Sequence, residues 1–356
     1  MRAVATKPHV AEEVLLRQSA AVRAMGSTFV ASVLAAGARG LAYAPHTTAL
    51  IEGWTGDAAA DALAMRFNGA LHALARRQAI PALTMLYRQL SGDFDAVIGA
   101  AMAAADDVIA AWMRNIPQTN EVGRSAGIMA ALLMLRGRYD MPCALYELGA
   151  SAGLNLSLDR YSYDLGGRRI GRSGSPVHIA PAWRGSAPDA RPVDIVSARG
   201  VDLHPIDLED GEACERLMAY VWADEPDRAE RLETALAIAR NAAPCVERGD
   251  IARWLPAQLS APQAIGTCRT VIHSMALQYL GAVDRRAVEV AFEEAGARAS
   301  ASRPLARIGF EWTSDRDAVH LSLTTWPDGR TQHLANCHAY GAWFDWHDMT
   351  GDAHER

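Results

Sequence analysis

The sequence predicts an α/β protein with two parts, an all-α domain over residues 1–116 and a domain built on a mostly parallel sheet over residues 117–356. Two observations predict this organisation. From about Glu12 to Leu135, apolar residues recur at the helical spacing, and no segment alternates as a half-buried strand does. After Gly137, short apolar segments alternate with helical ones, which is the pattern of a parallel sheet whose strands are joined by helices.

The N-terminal domain carries helix signals at regular intervals. Asp57 is expected to cap a helix over residues 58–66, and Pro81 is expected to open another. The segment Phe94–Met113 is predicted as one long helix that is rich in alanine. Packing within a helical bundle accounts for the apolar residues of these segments.

The C-terminal domain is expected to contain seven strands, over residues 143–147, 193–201, 245–248, 270–273, 305–312, 320–325 and 333–338. Helical segments fall between most of them. The last two are separated only by Pro327-Asp-Gly329, which is turn chemistry. We therefore expect an antiparallel hairpin at the end of an otherwise mostly parallel sheet.

Composition excludes several classes of protein. The 356 residues include 35 Lys and Arg against 41 Asp and Glu, and half are hydrophobic, as in a folded globular chain. A chain of this length usually forms more than one hydrophobic core. The net charge of −6 and the scattered arginines argue against a nucleic-acid groove, which needs clustered positive charge.

Cysteine and apolar patterns indicate a reduced, cytoplasmic protein. The five cysteines are widely spaced, odd in number and never in a C-x-x-C pair, so they predict neither a disulfide framework nor a zinc site. No other cluster suggests a metal ligand set. The N-terminus lacks the apolar segment of a signal peptide, and apolar stretches such as Ile128–Leu135 are too short to span a bilayer. We expect no membrane partner, and the oligomeric state stays open.

The segment from Tyr146 to Asn155, Y-E-L-G-A-S-A-G-L-N, follows the first predicted strand and leads into a helical segment. Gly149 permits a tight turn, and Ser151 and Gly153 are small enough to let a ligand approach the backbone. Glu147 ends the strand with an acidic group that a cation would complement. This combination suits a nucleotide that carries a sulfonium and a free amino group.

In these residues the chain resembles the class I S-adenosylmethionine-dependent methyltransferases, whose first motif is an acidic residue followed by G-x-G-x-G. Ser151 stands where that family has its middle glycine. The resemblance implies a Rossmann-like sheet that binds S-adenosylmethionine through Glu147, Gly149, Ser151, Gly153 and Asn155. It extends over roughly residues 117–346, mainly through the order of strands and the closing hairpin.

Two downstream segments resemble later motifs of the same family. Asp202 stands at the end of the second strand, where the family has an acidic residue that accepts hydrogen bonds from the ribose hydroxyls. It lies far from Glu147, so an insertion near residues 157–192 is expected, and Asp164 is the alternative ribose ligand. Asp250 with Ile251 resembles the third motif, in which the acidic side chain accepts the adenine amino group and the next backbone amide meets a ring nitrogen.

His273 stands at the end of the fourth strand, which in this fold delivers catalytic residues toward the methyl group. It is the candidate general base, because the pKa of imidazole lies near working pH. The alternative is a hydrogen-bonded structural histidine. The Asn or Asp with two prolines and an aromatic residue that marks amino-methylating enzymes of nucleic-acid bases does not occur here.

Candidate substrate-binding residues stand at the head of the helix before the first strand and after the last strand. Asn120 is a good helix cap, and Glu121 and Arg124 have the spacing of an ion pair within the first turn. The functional alternative is that these three side chains face the cleft, where the guanidinium would hold a carboxylate or phosphate. His338 is a further candidate for lining the cleft.

The leading hypothesis is a methyltransferase that acts on a small anionic or zwitterionic metabolite, with the helical domain covering the cleft and selecting the substrate. Two alternatives stay open. G-x-S-x-G is also the nucleophile turn of α/β hydrolases, which would make Ser151 the nucleophile of a serine esterase. The third possibility is a non-catalytic nucleoside-binding protein. The whole chain also resembles an uncharacterised bacterial family with an N-terminal helical region.

Overall fold

A computed structural model of the protein describes residues 10–347 and divides the chain into two compact units. The first unit extends to Thr119 and also contains Gly211–Glu230. The second comprises Asn120–Asp210 and the chain from Arg231 onward. The sequence analysis placed the boundary at residue 117 and included residues 211–230 in the C-terminal domain, whereas these residues cluster with the first unit in the structure.

Eleven α-helices are found in residues 10–347: α1 Val10–Ala24, α2 Thr28–Gly40, α3 Pro45–Glu52, α4 Leu63–Arg76, α5 Pro81–Gln89, α6 Phe94–Met113, α7 Ser125–Tyr139, α8 Gly211–Tyr220, α9 Pro226–Asn241, α10 Ile251–Ser260 and α11 Ala282–Ala297. Twelve strands accompany them: β1 Cys143–Leu148, β2 Ser162–Leu165, β3 Arg168–Gly171, β4 His178–Ile179, β5 Ala182–Arg184, β6 Ile195–Asp202, β7 Cys245–Arg248, β8 Cys268–Ser274, β9 Leu305–Trp312, β10 Val319–Trp326, β11 Arg330–Cys337 and β12 Trp343–Trp346.

The first unit is helical, as predicted, and α8 belongs to it because its side chains complete the bundle. Arg76 of α4 forms an ion pair with Glu215 of α8 at 2.9 Å. The ring of His72 lies 3.1 Å from the carbonyl oxygen of Ala219 through Nδ1. These contacts join segments about 140 residues apart in sequence, which is why helical periodicity alone could not assign α8 to the first unit.

One predicted helix start is wrong. The carboxylate of Asp57 accepts hydrogen bonds from the amides of Ala59 and Ala60 at 2.8 Å, but these belong to a turn. The helix α4 begins only at Leu63. Asp57 therefore caps a turn that precedes the helix.

The helix α6 is 20 residues long and apolar enough, by length and composition, to cross a membrane. It is the one such helix among residues 10–347. The expectation that every apolar stretch is too short is wrong for this segment. Its residues Ile98, Met102, Ile109 and Met113 are fully buried in the hydrophobic core of the first unit.

The second unit is built on a nine-stranded sheet in the order β5-β12-β11-β10-β9-β8-β1-β6-β7. The five strands β9-β8-β1-β6-β7 are parallel to one another, and β10 pairs antiparallel with β9. The hairpin of β10 and β11 is antiparallel and turns at Pro327-Asp-Gly329, as predicted. All seven predicted strands are present, and all five cysteines are free.

Five short strands escaped prediction. Within the expected insertion, β2, β3 and β4 form a separate three-stranded sheet, and β5 joins the edge of the large sheet beside β12. Each of these strands has two to four residues. Such lengths are too short for alternation of apolar and polar residues to be recognised.

The order of the parallel strands reverses direction at β1. The chain passes from β1 to β6 on one side and later returns to β8 on the other side of β1. In open α/β sheets, ligands bind outside the carboxyl ends of the strands at such a reversal of strand order. Glu147 lies there, paired in register with Gly200 of β6 and Ile272 of β8.

Candidate functional site

The loop after β1 is held against the end of β6 by its own backbone amides. Gly149 and Ala150 donate hydrogen bonds to the carbonyl oxygen of Val201 at 2.9 and 3.0 Å. The amide of Ser151 donates to Oδ2 of Asp202 at 2.8 Å. The loop therefore has a fixed shape that the end of the neighbouring strand maintains.

Asn120 clamps the other side of the loop. Its Oδ1 accepts hydrogen bonds from the amides of Ala152 and Leu154 at 3.1 and 3.0 Å, and its side chain is buried. The two alternatives predicted for Asn120 were a helix cap and a residue that faces the substrate, whereas its Oδ1 accepts amides of the loop after β1. A short polar side chain here satisfies two loop donors that no strand or helix can reach.

Glu147 and Asn155 form a buried pair above the end of β1. Nδ2 of Asn155 donates to Oε1 of Glu147 at 2.9 Å, and each residue is only 2% exposed. Oε2 of Glu147, Oδ1 of Asn155 and Oγ of Ser151 are buried and have no hydrogen-bond partner among residues 10–347. A buried polar atom without a partner costs about 1–3 kcal/mol, so three such atoms within nine residues of the chain mark a segment that a ligand could satisfy.

Burial raises the pKa of the Glu147 carboxyl to about 8. The hydrogen bond from Asn155 and the positive charge of Arg124 oppose this rise, while the negative charge of Asp202 adds to it. The carboxyl is therefore mostly neutral at pH 7. A positive charge placed beside it would favour its ionised form.

Arg124 reaches two backbone segments at the carboxyl edge of the sheet. Its Nε donates to the carbonyl oxygen of Ala339 at 2.8 Å, and its Nη1 lies 3.5 Å from that of Ser274. The guanidinium thus joins the end of β8 to the turn after β11. It is 5% exposed, so these contacts give it a structural role beside any effect on a ligand.

Glu121 and His338 lie near Arg124 in the second unit, but both act on the local backbone. Oε1 of Glu121 accepts the amide of Gly123 at 3.0 Å and lies 3.8 Å from Nη2 of Arg231. Nδ1 of His338 accepts the amide of Tyr340 at 3.3 Å within the turn after β11. These two predicted substrate residues stabilise the turns around the site.

The two loop glycines are required by packing against protein atoms. A Cβ atom on Gly149 would lie 2.6 Å from Cβ of Ala276, and one on Gly153 would lie 2.7 Å from Cγ of Pro244. Both glycines have positive φ angles, 71° and 72°. The sequence analysis ascribed the small residues to ligand access, whereas here the glycines let the loop pack between neighbouring strand ends.

The acidic residues predicted for cofactor binding occupy the ends of the expected strands. Both oxygens of Asp202 accept backbone amides, from Ser151 and from His204 at 2.8 Å each. Asp250 follows β7 and caps α10, accepting the amide of Ala252 at 2.7 Å. Ile251 is the first residue of that helix and is buried.

Asp164 lies elsewhere. It belongs to β2 of the small sheet, and its Oδ1 accepts the amide of Gly167 at 2.7 Å across the tight turn to β3. Asp202, and not Asp164, therefore stands at the carboxyl end of the strand beside β1.

His273 does not face Glu147. On β8, His273 pairs with Leu148 and Ile272 pairs with Glu147, and successive side chains of a strand point to opposite faces. Nε2 of His273 accepts a hydrogen bond from Nε of Arg307 at 3.0 Å, which leaves the ring proton on Nδ1. Both ring nitrogens are therefore engaged, and this arrangement does not support the predicted role of His273 as a general base.

The proton on Nδ1 of His273 is donated to Oε1 of Glu311 at 2.8 Å. The same oxygen accepts the amides of Ala276 and Leu277 at 3.1 and 3.3 Å. Burial lowers the pKa of His273, so the ring stays neutral. This network holds the loop after β8 against Gly149, and sequence analysis missed Glu311 because 38 residues separate it from His273.

Ser151 lacks the partner that a hydrolase nucleophile needs. Its Oγ is buried and, among residues 10–347, has no hydrogen-bond partner, so no histidine is placed to remove its proton. A seven-residue 3₁₀ helix, Leu154–Arg160, follows the loop where the sequence predicts a helical segment. No group of three or more potential metal ligands occurs in the described part of the chain.

Tyr161, in the expected insertion, lies beside this site. Its hydroxyl donates to the carbonyl oxygen of Leu154 at 2.7 Å, and the charge of Glu147 contributes to the upward shift of its pKa, which burial dominates. Sequence analysis placed Tyr161 in the insertion without a role, because nothing in its spacing shows that the chain returns to β1 there.

Comparison with known proteins gives one family. No curated protein and no solved structure matches the chain. The sequence profile of the family described as "Uncharacterized protein conserved in bacteria (DUF2332)" matches residues 12–346, and thus nearly the whole chain, including both units and every residue of the site. The chain belongs to this family.

Proposed function

We propose that the protein binds S-adenosylmethionine at the carboxyl ends of β1, β6 and β8 and transfers its methyl group to a small anionic or zwitterionic metabolite. The observation that carries this proposal is that three buried atoms of the segment from Glu147 to Asn155 have no partner in the described part of the chain: Glu147 Oε2, Ser151 Oγ and Asn155 Oδ1. Oδ1 of Asn155 can only accept hydrogen bonds, and Oε2 of Glu147 can only accept them when the carboxyl is ionised. Oγ of Ser151 can both accept and donate a hydrogen bond.

The cluster suits a ligand that is cationic and rich in hydrogen-bond donors. The ammonium group of an amino acid would supply donors to Asn155 and Glu147 and would favour the ionised carboxylate. Because the carboxyl is mostly neutral at pH 7 without such a ligand, binding should release a proton. This coupling distinguishes a ligand at Glu147 from one elsewhere.

Asp202 and Asp250 support the nucleoside part of the proposal. Asp202 ends the strand next to β1, which is where the methyltransferases that this chain resembles have the acidic residue that meets the ribose hydroxyls. Asp250 follows β7, the next strand of the sheet, as the acidic residue of the third motif does in that family.

Methyl transfer from S-adenosylmethionine requires few catalytic groups from the protein. The sulfonium of S-adenosylmethionine supplies an already activated methyl group. The chain has to hold the acceptor in line and exclude water, which the fixed loop between Asn120 and Asp202 assists. Since His273 is engaged on the other face, we expect an acceptor whose nucleophilic atom is unprotonated at working pH.

Titration calorimetry with S-adenosylmethionine and with S-adenosylhomocysteine tests the binding step. We expect micromolar affinity in the wild type and at least a tenfold loss in Glu147→Ala and Asp202→Ala. The matched control is Glu294→Ala, which removes an exposed glutamate of α11 and should bind as the wild type does. Repeating the titration at pH 7 in buffers of different ionisation enthalpy measures the proton released.

Two results would contradict the proposal. Folded protein that binds neither compound would refute it, and a serine-directed fluorophosphonate would then test Ser151. Binding without formation of S-adenosylhomocysteine from any metabolite in a broad acceptor mixture would favour the non-catalytic nucleoside-binding alternative.

A further inference from the structure

A recess lies at the opposite edge of the sheet, where β8 and β9 begin. Arg269 lies in β8, five residues before Ser274, which corresponds to roughly 16 Å along the strand from the carboxyl edge. The recess has a volume of about 220 Å³. Three arginines line it, Arg269, Arg298 and Arg303, and no aspartate or glutamate is among its described lining residues.

Arg269 forms the fixed floor of the recess. It is 5% exposed and donates to the carbonyl oxygens of Leu259 and Ala261 at 2.8 Å and of Pro262 at 3.1 Å. These carbonyls end helix α10, and a cation at a helix C-terminus is stabilised there by the helix dipole. The buried guanidinium thus has a structural reason for its position that does not depend on a ligand.

The hydrogen bonds of Arg298 and Arg303 do not account for the positions of these side chains as those of Arg269 do. Arg298 makes one long contact, from Nη2 to the carbonyl oxygen of Leu259 at 3.4 Å, and Arg303 makes one bond, from Nε to that of Gln263 at 2.9 Å. A guanidinium has five N–H donors, so each retains most of them for another acceptor. Within residues 10–347, none of the three arginines forms an ion pair with a carboxylate.

Three like charges around one small recess repel one another unless an anion lies between them. The charge of Arg298 contributes to the lowered pKa of Arg269, after burial. Two other arginines of the second unit, by contrast, are paired: Arg286 with Glu293 and Arg307 with Glu289. The recess therefore concentrates positive charge that the described part of the chain leaves without a carboxylate.

We propose that this recess binds the phosphate group of a small molecule, with Arg298 and Arg303 as its ligands and Arg269 supplying fixed positive charge beneath. Planar guanidinium groups bind phosphate oxygens through paired N–H donors. The volume is below the roughly 300–1,000 Å³ of pockets for drug-sized ligands, which favours a small phosphate compound. This site is separate from the proposed methyltransferase site and does not depend on it.

Inorganic phosphate is the probe for the test. Thermal unfolding and titration calorimetry are measured with phosphate and with sodium chloride at equal ionic strength. The test variant is Arg298→Gln with Arg303→Gln, both exposed side chains, so that the capping residue Arg269 is left intact. The matched control is Arg286→Gln. Arg286 is an exposed arginine of helix α11 and pairs with Glu293.

We expect phosphate to raise the melting temperature of the wild type and of Arg286→Gln above the chloride value, with at least a tenfold loss of phosphate affinity in the double variant. A phosphate effect that is equal in the double variant and the wild type would overturn the proposal, as would no phosphate effect in the wild type. Circular dichroism without phosphate checks that the double variant is folded.

Discussion

Glu147 and Asn155 share one hydrogen bond of 2.9 Å in the interior of the second unit, and each has an oxygen atom with no partner within residues 10–347. Eight residues separate them in sequence, and the loop of Gly149–Gly153 between them is held by Asn120 and Asp202. The pair is thus placed by a rigid loop. Rigid placement of unsatisfied polar atoms is costly for the protein alone, and a bound ligand would offset it.

The first prediction concerns Glu147→Gln. The folded-state pKa of about 8 lies above the usual glutamate pKa of 4.5, so the native state binds a proton that the unfolded state releases between these pH values. Wild-type stability therefore falls as pH rises from 4.5 to 8, by about 3 kcal/mol at pH 7. The side-chain amide of Glu147→Gln does not ionise, so the variant does not lose this stability as the pH rises.

Urea unfolding at pH 4, 5.5, 7 and 8 checks this expectation. Glu147→Gln should gain stability over the wild type as pH rises, with no gain near pH 4. Glu294→Gln, at an exposed site, should show no such trend. A constant difference between Glu147→Gln and the wild type at all four pH values would contradict a raised pKa.

The second prediction concerns Asn120→Ala. This change leaves the buried amides of Ala152 and Leu154 without an acceptor, so we expect a loss of about 2–4 kcal/mol in the free energy of unfolding. Asn115→Ala serves as the control because that side chain is exposed. Similar small losses for both variants, measured by urea unfolding, would show that Asn120 does not hold the loop.

The third prediction separates backbone strain from steric contact at two glycines. Gly153 and Gly167 both have positive φ, 72° and 84°, so alanine costs about 1 kcal/mol at either position. At Gly153 a Cβ would also lie within 3.0 Å of Pro244 and Val246, whereas at Gly167 nothing lies within 4 Å. We expect Gly153→Ala to be at least about 2 kcal/mol more destabilising than Gly167→Ala. Equal losses in thermal unfolding would contradict the packing of the loop.

The fourth prediction concerns His273→Gln. Burial lowers the pKa of His273 below the usual histidine pKa of 6.5, so the unfolded state binds a proton that the native state does not. The neutral ring of His273 therefore contributes to the free energy of unfolding above pH 6.5, and this contribution is lost as the pH falls below 6.5. At pH 7.5 the variant should be less stable, because Glu311 and Arg307 lose their buried partner.

The difference between His273→Gln and the wild type should narrow from pH 7.5 to pH 5.5 in urea unfolding, since the variant has no imidazole to protonate. His178→Gln, at an exposed position, provides the control. A difference that widens over this range would mean that the native state favours the protonated ring, contrary to the network with Arg307.

Much of the fold follows from local patterns that the sequence displays. Helical spacing identified the first unit, and alternating segments identified all seven longer strands. The short strands β2–β5 and β12 could not be predicted, because their two to four residues are fixed by neighbours in the sheet. The assignment of α8 to the first unit failed for a related reason, since the contact of Arg76 with Glu215 joins segments far apart in sequence.

For the site, sequence patterns located the loop but not the roles of its neighbours. Glu147, Gly149 and Gly153 stand together in the chain, so their proximity was evident. Asn120 was predicted to cap a helix or meet substrate and instead holds the loop, because the fold brings it to two amides more than 30 residues away. The face on which His273 lies depends on strand register.

The sequence by itself determined that helices come first, that a largely parallel sheet follows, and that a glycine-containing loop ends the first strand, because each rests on periodicity or on conformational preferences of neighbouring residues. Only the tertiary structure decided that Glu147 is buried and mostly neutral and that His273 is hydrogen-bonded to Arg307 and Glu311. It also decided that three arginines line one recess at the edge of the sheet where β8 and β9 begin. The physical reason is that desolvation and hydrogen-bond partnership depend on which distant segments pack together, and local sequence does not specify those neighbours.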